Sequence, residues 1–185
     1  MDRKLIIGLS TLVFLFVLYF INTTIQKSYN SKETKLIVSQ EEDIYKIVIS
    51  ANQEAIEIAR YDSMWTISGN DTLDIKESVV SNFFEKIYNL EKQHLVTQKE
   101  DNWGQYGVSP ETGTHLAFIN KEGETIEYFV FGRSEGEFNR CFVRVNQESD
   151  VYLANQNILY QLQTSPTFWG SKPEPIEPIE PVLDN

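Results

Sequence analysis

The chain has 185 residues, room for one cored domain with flanking segments, and its formal net charge is −11. That acidity argues against nucleic acid or an anionic lipid surface as a partner for its bulk. The single cysteine, Cys141, excludes an internal disulfide framework and leaves the redox compartment open.

Residues 5–21 form an apolar run without a charged side chain. As a helix it would measure about 25 Å, near the lower limit for a bilayer span. A cleaved signal peptide would need a small-x-small site, and nothing after Ile21 resembles one. A lipoprotein signal would need a cysteine just beyond the run, and a buried soluble helix is not usually apolar on every face at a terminus. Residues 5–24 are therefore predicted as a transmembrane signal anchor, after a short cytoplasmic start at 1–4. Basic residues flank both ends, so the orientation is taken from bulk charge: residues 1–35 carry net +3 and residues 36–185 net −14. The domain is expected outside, in the periplasm, on a single-pass protein of the inner or plasma membrane.

Residues 25–43 read as a polar stalk, and residues 44–170 as an extracytoplasmic domain. Its first signal is a hairpin, with strands at 44–49 and 55–60 around Asn52-Gln53. Met64-Trp65-Thr66-Ile67 follows as a short strand. Val79, Val80, Phe83, Phe84, Ile87, Tyr88 and Leu90 then recur at helical spacing, with Asp74 and Glu77 placed as a capping pair. Strand periodicity returns at 94–97. Residues 103–110 form an aromatic, Gly-containing loop. Strands at 114–119 and 125–131 and at 140–146 and 150–154 make two more hairpins, and residues 157–162 are predicted as a last short helix. The expected fold class is α+β: a mostly antiparallel sheet of hairpins packed on one main amphipathic helix, plus the N-terminal transmembrane helix. Residues 171–185 carry four prolines among glutamates and are expected to be a disordered tail.

No catalytic or metal motif stands out. His94 and His115 lie on separate predicted strands without ligand spacing, and Cys141 has no neighbouring base. The segment from Gly132 to Gly136 lacks the residues of a phosphate loop and reads as a turn. No catalytic, cofactor or metal residue is assigned. The expected contact surface combines Trp103 and Tyr106 of the aromatic loop with Arg133, Arg140 and Arg144, a local basic set in an acidic domain. Large aromatics such as Trp65, Trp103, Tyr106 and Trp169 also serve to close a small sheet's core, and the arginines also serve cross-strand pairing with Glu127, Glu135 or Glu137.

Several segments together resemble the domain of unknown function 4340 family. They are Arg60 to Ile67, Tyr106-Gly107-Val108-Ser109-Pro110, Val130-Phe131-Gly132-Arg133, and Cys141-Phe142-Val143-Arg144 followed by Asp150-Val151-Tyr152-Leu153. The resemblance covers about residues 44–165 in order. It implies a membrane-anchored extracytoplasmic domain of bacterial cell envelopes, associated with gliding-type auxiliary ABC transporters, and it carries no catalytic residues. The expected function is a non-enzymatic, membrane-anchored envelope protein acting through protein–protein contact, as an accessory to an ABC transporter complex. The alternative is an extracytoplasmic ligand- or glycan-binding module using the loop at 103–110.

Overall fold

The structure, a computed structural model, describes residue 16, residues 35–62 and residues 64–173. Two compact units divide between residues 34 and 35. Of the first, only Phe16 is described. The described residues of the second carry ten strands and two short helices.

The strands are β1 (Lys46–Ala51), β2 (Glu54–Tyr61), β3 (Met64–Ile67), β4 (Asp74–Ile75), β5 (Lys92–Thr97), β6 (Thr114–Ile119), β7 (Thr125–Arg133), β8 (Cys141–Val145), β9 (Val151–Ala154) and β10 (Gly170–Ser171). The helices are α1 (Glu77–Tyr88) and α2 (Pro166–Trp169). Eight strands join in one sheet of order β3-β2-β1-β6-β7-β8-β9-β5, and β10 pairs with β4 in a second. All pairings of these strands are antiparallel. The turn between β1 and β2 places Asn52 and Gln53 at φ 52° and 67°, the left-handed pair that matches strand twist in a two-residue hairpin.

Strand alternation gives the sheet two unlike faces. One face carries Ile47, Ile49, Ile58, Leu116, Phe118, Phe129, Phe131 and Val143, all buried. On the same core lie Val80, Phe83, Phe84 and Ile87 of α1. Phe83 meets Phe118 edge-on at 6.3 Å and Trp169 at 5.6 Å. The opposite face is covered near β7–β9 by the 103–110 loop through a smaller cluster of Val108, Val130 and Val151.

This architecture corrects the expected fold class. A single eight-stranded antiparallel sheet dominates, and α-helix in this unit's described residues is confined to 12 residues in α1 and 4 in α2. The hairpins do not stand as separate units on a main helix, because β1 pairs with β6 across more than sixty residues of sequence and fuses them edge to edge. Among the described residues, no helix is long and apolar enough to cross a membrane. The segment predicted as a transmembrane helix, residues 5–24, lies outside the described residues apart from Phe16, as does the tail from residue 174.

Three local expectations also change. Residues 35–43 are not stalk. Leu36 and Ile37 are buried, the Leu36 amide donates to the Leu90 carbonyl at 3.1 Å, and the Glu127 carboxylate accepts from the amides of Val38 and Ser39 at 2.7 and 3.1 Å. Asp74 and Glu77 form no cap. Asp74 pairs with Ser171, and Lys76 occupies the cap position without a side-chain cap bond. The Lys76 ammonium instead donates to the carbonyls of Thr167 and Phe168 at the end of α2. Residues 157–162 are not a helix, since the Asn157 side chain accepts from the Leu159 amide and holds a turn. The last helix begins instead at Pro166, whose fixed φ suits a first helical position.

Candidate functional site

The loop at 103–110 uses its aromatic side chains for packing. A short 3-10 turn, Glu100–Asn102, delivers Trp103 to the sheet, and the Trp103 indole donates to the Ser149 carbonyl at 3.1 Å. The Arg144 guanidinium lies 3.9 Å from the Trp103 ring centroid and donates to the carbonyls of Val108 and Asn146. Arg144 is only 4% exposed, and its burial pulls the guanidinium below its ordinary pKa. A desolvated cation on an aromatic face is a strong form of this contact. Tyr106 packs edge-on against Phe142, with ring centroids 4.9 Å apart.

The three arginines do not converge. Arg144 faces Val130 in the β7–β8 register, on the loop side. Arg133 is three rows away, opposite Cys141, on the other face and exposed. Arg140 pairs with Glu137 at 3.1 Å. Neither histidine meets a metal-ligand set, and the described residues contain no grouping of His, Cys, Asp and Glu that could hold an ion. His115 instead bonds through Nδ1 to the Tyr128 hydroxyl and through Nε2 to the Pro110 carbonyl. Cys141 is buried beside the Gln156 carbonyl, and desolvation pushes its thiol up to about 11.

A different surface carries two large, exposed apolar side chains. Beside the edge strand β3 runs an open groove of about 1050 Å³, lined among others by Tyr45, Arg60, Tyr61, Met64, Trp65 and Lys121. Tyr61 and Met64 stand across the β2–β3 hairpin from each other and are 74% and 65% exposed, which leaves both free to meet a partner. Arg60 stacks 4.6 Å from the Trp65 ring centroid and pairs with Glu41 at 3.3 Å. Lys121 lies 5.6 Å from the Tyr45 ring. The Lys46 ammonium, 2.9 Å from Glu57, is the largest cause holding the Glu57 carboxyl below its ordinary range. Of this surface the sequence marks Trp65 as a contact candidate, and the rest of Arg60 to Ile67 enters only through the resemblance. The others depend on β3 being the rim of the sheet, and strand order is not written in local periodicity.

The domain of unknown function DUF4340 matches residues 65–173, more than half of the chain. The chain belongs to this family. The match opens at Trp65 in β3 and runs through both helices to just past β10. Within it the resemblance-bearing segments meet in space: Tyr106 touches Phe142, and Gly107 lies against Gly132. No curated protein matches the chain, and no solved structure matches it.

Proposed function

We propose that this chain is a membrane-held protein of the bacterial cell envelope that acts by contact rather than by catalysis. It binds another protein through the groove beside β3, as an accessory of an ABC transporter complex. The observation that carries this reading is the pair Tyr61 and Met64, two large apolar side chains exposed at the mouth of a groove on an edge of the main sheet. Such residues at a sheet rim favour partner contact over self-contained packing. The uncharged run at residues 5–21 supports attachment to the membrane, and the acidic remainder supports an extracytoplasmic location. Family membership supports the envelope setting through the context that the resemblance implies.

The test is chemical crosslinking in native membranes followed by purification of the chain. Replacing Tyr61 and Met64 together by Asp should abolish the partner band and leave the melting temperature nearly unchanged, since both side chains are exposed. An undiminished band would overturn the groove as the contact surface. Alkaline carbonate extraction tests the attachment, and recovery of the full chain in the soluble fraction would overturn it.

A further inference from the structure

The hydrogen-bond ladder at the rim points to a more specific occupant. The Ser68 amide donates to the Glu57 carbonyl at 2.9 Å, which makes 57 and 68 a bonded pair. Bonded and non-bonded pairs alternate in an antiparallel ladder. The pairs Ala59↔Thr66 and Tyr61↔Met64 are then bonded, and the backbone polar groups of Trp65 and Ile67 point away from β2. The Ile67 carbonyl accepts from the Asn70 amide at 3.2 Å. The Trp65 amide, the Trp65 carbonyl and the Ile67 amide have no partner among the described residues.

Exposed edges are usually blunted by charge, proline or bulges. The opposite edge, β5, has register shifts at two places and carries Lys92 and His94. β3 reads Met-Trp-Thr-Ile, without charge, proline or register shift. It is the edge left competent for pairing.

Charge decides what pairs there. Within the groove, Lys46 is tied to Glu57 and Arg60 to Glu41. The lining charges that remain are Lys121, seated over Tyr45, and the carboxylates of Asp71, Asp74 and Glu77, on the segment that follows β3. A strand docking on β3 therefore runs beside an acidic wall. A second copy of this chain would bring a second acidic wall and a net charge of −11 with it.

We propose that β3 accepts an extended, lysine- or arginine-bearing segment of a partner protein as a ninth strand of the main sheet. Backbone bonds to Trp65 and Ile67 supply the docking, and Asp71, Asp74 and Glu77 select the basic sequence. This rests on the groove being the contact surface and names the chemistry of its partner.

Hydrogen–deuterium exchange of the full chain in detergent tests it, with two synthetic probes: a blocked peptide of alternating Lys and Val, and its Glu–Val counterpart. The basic peptide should slow exchange of about two amides in fragments spanning residues 64–68 by about tenfold or more, and the acidic peptide should not. Asp71→Lys with Glu77→Lys should reverse the preference. Asp71→Asn with Glu77→Gln should weaken the basic peptide without gaining the acidic one, a milder pair that serves if the reversal unfolds the chain. Equal protection by both peptides, or by neither, overturns the proposal. Protection that grows with protein concentration in the absence of peptide would give the edge to a second copy instead. If neither peptide protects β3 while the Tyr61 and Met64 substitutions still abolish partner crosslinking, strand addition fails and the groove contact survives.

Discussion

Gly132 and Tyr106 are in backbone contact: a β-carbon at position 132 would collide with the Tyr106 carbonyl oxygen and with Gly107. Only glycine lets the loop lie this close to β7, and Gly107 itself adopts φ +62° on the other side of the contact. Two segments that carry the family resemblance are therefore halves of one packing joint.

Gly132→Ala should destabilise the domain by about 1–3 kcal/mol through overpacking against backbone. Gly104→Ala, where nothing lies within 4 Å of the added carbon, should stay within about 0.5 kcal/mol. Urea denaturation of both variants checks the contrast. Equal effects would mean that the loop is not seated on Gly132.

Arg144 anchors the same loop from the opposite strand. Arg144→Lys loses the planar stacking on Trp103 and the paired carbonyl bonds, and should cost about 1–3 kcal/mol. Arg140→Ala removes only a partly exposed pair and should cost under about 1 kcal/mol. Denaturation midpoints of the two variants test this ordering.

Glu127 holds the segment that precedes the sheet. Its carboxylate accepts from two successive amides while only 8% exposed. Glu127→Ala should cost about 1.5–3 kcal/mol. It should also speed tryptic cleavage at Lys35, because Leu36 and Ile37 lose their clamp. Unchanged cleavage would show that apolar burial alone holds this segment.

Alkaline pH should weaken the fold. Burial raises the Cys141 thiol from 9.0 to about 11, and burial is also the first cause lifting Tyr88 and Tyr152 from 10.0 to about 12. Groups raised in the folded state contribute stability that is full below their unfolded values and lost as pH rises through the folded ones. Stability should therefore hold up to about pH 9 and fall between about pH 9 and 12. Cys141→Ala should flatten the earlier part of that fall, and urea titrations across the range measure it. The native thiol should resist a disulfide reagent at pH 8.

Much of the fold is legible in the sequence because it is local. Asn52 and Gln53 announce the first hairpin, and the three-and-four spacing of Val80, Phe83, Phe84 and Ile87 marks the buried face of α1. What escapes depends on distant pairing. Nothing near Lys46 or Ile119 says that β1 and β6 lie side by side, yet that pairing turns hairpins into one sheet and leaves β3 at its rim. The same holds for the candidate site. Trp103, Tyr106 and Arg144 are conspicuous by residue type, but their neighbours Phe142, Val108 and Ser149 turn them into internal supports. Tyr61 and Met64 become visible only once the edge is known.

The most direct measurement is site-specific photocrosslinking in native membranes, with a benzophenone side chain placed at position 64 or at position 138. Phe138 is more exposed than Met64 but does not line the groove, so it reports non-specific capture. The account predicts a discrete partner adduct from position 64 and none from position 138. Adducts of equal strength from both positions, or from position 138 alone, would contradict it.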